Sequence, residues 1–130
     1  MASLPSQKTE DSFFKEWELL WKKFSEEVSF LYDNEGVIES LQRKYGREDD
    51  CAMKKALEGQ MDEVHHLVLH HREKLLRLVE KMQQLANEGK KDIGKAPDDL
   101  KKAIHSLNID AIKISSQMFK KRCERGDSNP

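Results

Sequence analysis

Leu57, Met61, Val64, Val68, His71, Leu75, Leu78, Met82 and Leu85 recur at alternating steps of four and three residues. Only His71 among them is polar. That period places all nine on one stripe of a helix built to lie along other helices. The stripe predicts a helix over 51–88, closed by Gly89 and about 55 Å long at 1.5 Å per residue. Leu67, Leu69, Leu76 and Val79 widen its apolar surface enough to touch two neighbours.

Trp17, Trp21, Phe24, Val28 and Leu31 form a similar stripe upstream, broadened by Phe13, Phe14 and Leu20. Its phase continues through Glu35 to Ile38, Leu41 and Tyr45. The intervening Asp33-Asn34-Glu35-Gly36 is turn chemistry, and glycine costs about 1 kcal/mol inside a helix. Because the phase survives, the expectation is one helix over 12–45, capped by Ser12, with a weak joint at 33–36. A third stripe, Leu100, Ile104, Leu107, Ala111, Ile114 and Met118, predicts a helix over 97–122, opened by Pro97 and Asp98-Asp99. Gly46 and Asp49-Asp50 punctuate the first connection, and a basic, glycine-bearing loop at 90–96 makes the second.

Short connections between long helices force antiparallel neighbours. The expected fold is therefore all-α: an antiparallel up-down-up three-helix bundle over 12–123, or four helices if the chain breaks at 33–36. Polar segments at 1–11 and 124–130 read as flexible ends.

Composition narrows the function classes. A net charge of -1 argues against a nucleic-acid binder. The N-terminus lacks the basic and apolar regions of a secretory signal, and no run reaches the ~18 apolar residues of a membrane span. Two cysteines, Cys51 and Cys123, are too few for a disulfide framework. A cytoplasmic or nuclear protein with free thiols is expected, not a secreted one.

Antiparallel pairing from the loops puts His71 near Phe24 and near Ser115 or Ser116, where a hydroxyl can satisfy the imidazole. The third helix, about 26 residues, stops about 18 Å short of the far tip. Only two helices then face each other around Ile38, Leu41, Tyr45, Met53 and Leu57. Exposed apolar patches of that kind mark interfaces, so these five residues are the candidate partner-docking surface.

The histidines offer the one cluster with metal-binding chemistry. Glu63, His66 and His70 share a helical face, and the expected register brings Cys123 near Glu63, which makes the four a candidate zinc set. The set lacks the second Glu-x-x-His of a di-metal bundle, and a solvated histidine face is the simpler expectation. No cofactor and no catalytic constellation are expected.

These patterns point to a non-enzymatic helical interaction module, an adaptor, scaffold or structural protein, that binds a protein partner or a second copy of itself through its tip. Neither nucleic acid, membrane nor a small-molecule substrate is expected as a partner. Two competing readings remain. One is a membrane-associated helix using the Trp-bearing face, against which Glu16, Glu18, Glu26 and Glu27 weigh. The other is a metal-binding bundle using the histidines.

Overall fold

The computed structural model describes residues 10–125, which form four helices: α1 Glu10–Arg47, α2 Cys51–Glu88, α3 Ala96–His105 and α4 Ile109–Arg125. The polar ends at 1–9 and 126–130 lie outside the described residues. Glu10 and Asp11, expected in the N-terminal arm, and Glu124 and Arg125, expected in the tail, are helical.

The two long helices follow the hydrophobic pattern closely. α1 runs unbroken through 33–36, so the apolar phase outweighs the turn-forming residues. Asn34 turns its amide back onto the Phe30 carbonyl at 2.9 Å, within the helix. Asp50 caps α2, its Oδ1 accepting from the Ala52 amide at 2.9 Å. Gly89 closes α2, and its missing side chain admits the Phe13 ring, which would stand 3.0 Å from a Cβ there.

Cross-helix contacts give the register. Phe13 lies against Gly89, Glu27 against His71 and Tyr45 against Lys54, so α1 and α2 run antiparallel. Trp17, Trp21, Phe24, Val28 and Leu31 of α1 share a core with Val68, Leu75, Val79, Met82 and Leu85 of α2.

The C-terminal third departs from expectation. The helix predicted over 97–122 breaks at Ser106-Leu107-Asn108. Leu107 adopts φ 56°, the Leu107 amide donates to the Ile104 carbonyl, and the Asn108 amide donates to the Ala103 carbonyl. That is a Schellman stop, here with leucine where glycine is usual. Asn108 then caps α4, its Oδ1 accepting from the Ala111 amide at 3.1 Å. The break turns α4 back. Lys101 reaches Glu80 and Gln83, and Arg72 reaches the His105 carbonyl, so α3 runs up α2. Lys113 lies over Tyr32 and Phe119 packs on Trp17 and Trp21, so α4 runs back down α1.

The turn also changes the α4 seam. Ile109, Ile112, Phe119 and Cys123 are buried, whereas the predicted Ile114 and Met118 are 62% and 54% exposed. One reversal of direction after Leu107 rotates the seam away from the unbroken phase.

Candidate interaction surface

Beyond about Tyr32, α1 and α2 continue as a two-helix projection with neither α3 nor α4 beside them. Its α1 portion, 33–47, is about 21 Å long. The expected tip length was close to this, although its cause is different: α3 stops early and α4 returns, instead of one long helix ending short.

The projection buries more than expected. Leu41 and Leu57 are both buried, at one level of the antiparallel pair and outside the main core cluster. Ile38 is half-buried against the core, and Tyr45 is half-buried with Lys54 over its ring at 5.1 Å. Of the five residues expected to form the docking patch, only Met53 is substantially exposed, at 52%. The premise that two helices alone leave such residues open is corrected: a close antiparallel pair seals its own seam.

The exposed apolar surface lies on a flank of that seam. Phe30 and Val37 are seven residues apart on α1, and Met53 and Leu67 are fourteen apart on α2. Seven-residue spacing keeps each pair on one line of its helix. Tyr32 and Arg72, on the opposite flank, carry the contacts to α4 and α3. Phe30, Val37, Met53 and Leu67 therefore share the open face. Val37 and Leu67 are each 44% exposed. From Phe30 to the level of Met53 the ribbon runs about 24 Å. Leu67 and Leu69, whose spacing predicts a widened surface touching a second neighbour, are instead exposed. The heptad line Met53-Gln60-Leu67 is the sequence signal that could have placed Leu67 outward. Ile114 and Met118 form a shorter exposed pair on α4, one turn long and flanked by Lys113 and Lys121.

His71 sits at the edge of the ribbon. Its Nδ1 meets the Glu27 carboxylate, and its ring lies 3.8 Å from the Phe30 ring, centroid to centroid. Glu27, not Ser115 or Ser116, satisfies the imidazole. The register between the first two helices was thus right to one turn, and the serine layer vanished with the return of α4.

The candidate zinc set is dispersed. Glu63, His66 and His70 are exposed on α2. Cys123 is buried at the opposite end, near Lys91, because α4 runs down rather than up. The distance from Glu63 to that end is about 40 Å along α2. Among the described residues no group of three His, Cys, Asp or Glu converges on a metal-sized space. Burial pushes the Cys123 thiol up to about 12, with Lys91 opposing and Glu124 adding to the shift. Cys51 is free and exposed at the tip, far from Cys123.

The aromatic face of α1 is turned inward. Phe13, Trp17, Trp21 and Phe24 are all buried, so that face is occupied by the protein's own core. No described helix is long and apolar enough to cross a membrane. Trp17 Nε1 donates to Glu124 at 3.3 Å, whereas Trp21 Nε1 is buried without an acceptor among the described residues. Trp21 lines a groove of about 290 Å³ between α1 and α4, with Ser25, Ser116 and Lys120 at its margins.

Comparison with protein-family models, with curated proteins and with solved structures finds no match to this chain.

Proposed function

We propose that this chain is a non-enzymatic helical interaction module, in which a short α3–α4 hairpin braces the base of a long α1–α2 hairpin and the projecting end docks a helical partner. The observation that carries the reading is the open ribbon of Phe30, Val37, Leu67 and Met53. It extends over about four helical turns, and the face that α3 and α4 cover is the other one. Apolar lines at heptad spacing beside a sealed seam are what a further helix packs against. Flanking charge favours a specific, water-soluble partner over non-specific collapse: Asp33, Lys44 and Glu63 border the ribbon with both signs.

An enzymatic reading has little to build on. Among the described residues, the one strongly shifted titratable group, the Cys123 thiol, is shifted toward its unreactive protonated form.

The test uses the full chain as bait in three forms: unchanged, Val37→Glu with Leu67→Glu, and Leu19→Glu. Leu19 is exposed eleven residues, about 16 Å along α1, before Phe30 and outside the ribbon, and serves as the control. Substitution at exposed positions leaves helicity by circular dichroism unchanged. Proteins retained by the unchanged chain and by Leu19→Glu, but lost by the double variant, are the expected outcome. Loss in all variants, or in none, removes the ribbon as the docking site.

A further inference from the structure

We propose that a second copy of the chain packs on the outward side of α2, which borders this ribbon at Met53 and Leu67, in an antiparallel two-fold contact of α2 against α2 that crosses at Gly59. The proposal rests on the interaction-module reading and names its partner.

Gly59 lies in the interior of α2, where glycine costs about 1 kcal/mol relative to alanine. A Cβ built there meets nothing within 4 Å. The chain's own packing therefore has no use for the missing side chain. An outward glycine allows a second backbone to come close. Ala56 and Ala52, one and two turns before it on the same outward face and both exposed, extend the low surface.

A glycine alone would locate no partner. The residues around it do, because they are self-complementary under reversal. On one flank Lys55 stands four residues before Gly59 and Asp62 three after. On the other flank Met53 stands six before and Leu67 eight after, both exposed. In a two-fold antiparallel contact each flank meets the same flank of the other copy, and residue i meets residue j while j meets i. A crossing at Gly59 then brings Lys55 of each copy to Asp62 of the other, and Met53 of each to Leu67 of the other. Two independent pairings place the axis within about half a turn of the same residue. Neither Lys55 nor Asp62 is engaged in an ion pair within the described residues. α3 and α4 lie on the other face of the hairpin, and the two braced bases point in opposite directions, so nothing obstructs the approach.

The experiment is light scattering coupled to size exclusion on the full chain, up to about 100 μM so that a micromolar Kd is sampled. The unchanged chain is expected to show a dimer that dissociates on dilution and weakens as salt rises. Lys55→Glu and Asp62→Lys each set like charges across both pairings and weaken the dimer about tenfold or more. Mixed in equal amounts, the two variants recover a dimer, because each then supplies the charge the other lacks. Gly59→Leu gives a monomer of undiminished helicity. Gly59→Cys in a Cys51→Ser background gives a disulfide-linked dimer on mild oxidation, since only the axis brings a residue to its own symmetry mate within about 7 Å. A monomer at every concentration overturns the proposal. So does a dimer indifferent to the charge variants and to Gly59→Leu, or a mixture that stays monomeric. If the chain is monomeric yet loses captured proteins on Val37→Glu with Leu67→Glu, the self-association fails and the interaction-module reading stands.

Discussion

Trp17 and Trp21 are both buried, one turn apart, and differ in what their indole N–H groups meet. Trp17 donates to Glu124, while Trp21, beside its groove, has no acceptor among the described residues. An unmade buried hydrogen bond costs about 1–3 kcal/mol, so removing the Trp21 donor offsets part of the packing lost with the indole. Trp21→Phe is therefore expected to destabilise less than Trp17→Phe by about 1 kcal/mol, read from urea midpoints at constant slope. The two cysteines differ more sharply. Exposed Cys51 is expected to react with a thiol reagent at once at pH 8, and Cys123 only on the timescale of unfolding. Cys123 also carries a pH dependence. Its folded value is raised to about 12 from 9.0, so the folded state holds the proton where the unfolded state has lost it. The associated stability is fully present below about pH 9 and falls as pH rises from there toward 12. The difference in stability between the native chain and Cys123→Ala, followed across that window, isolates this group from the other titrating residues.

At the scale of elements, the long helices obey periodicity and the short ones obey their caps. Seven-residue lines in α1 and α2 carried through Gly36 and Gly59 because packing along a long partner outweighs two unfavourable propensities. Gly36 also has open space where a Cβ would sit, so Gly36→Ala is expected to raise the thermal midpoint, by about 1 kcal/mol in stability. In α3 and α4 the order of influence reverses. Asn108 and the positive φ of Leu107 end one helix and start another inside an unbroken apolar phase. The signal was present in the chain as an N-capping asparagine followed by Asp110, but six in-phase apolar residues masked it. Asn108→Ala removes the α4 cap and is expected to cost about 1 kcal/mol in chemical denaturation. The variant also tests whether the cap, rather than the fit of Phe119 and Cys123, sets the position of the turn.

On the scale of the whole molecule, stability is unevenly distributed. The lower half has four helices around Trp17, Leu75, Met82, Leu100, Ile112 and Phe119. The projection has two, joined by the Leu41 and Leu57 seam. Leu75→Ala is expected to cost about 2–5 kcal/mol and to lower the global transition. Leu41→Ala has fewer neighbours to lose and opens chiefly the projection. Hydrogen exchange checks this: protection over 33–67 falls first and in isolation in the Leu41 variant, while that around Leu75 and Ile112 is retained.

Periodicity and capping residues by themselves determined the all-helical class, both long helices, their antiparallel register to within one turn and the inward placement of Trp17 and Trp21. These follow from spacing along the chain, which local geometry converts directly into faces. The direction of α4 was decided only in three dimensions. Both the unbroken seam ending at Ile114 and Met118 and the reversed one ending at Phe119 and Cys123 are legible as helices. Choosing between them depends on which apolar side chains find a complementary surface on Trp17 and Trp21, and no count of residues along the chain contains that fit. The location of Cys123 and the loss of the serine layer expected beside His71 both followed from that one turn.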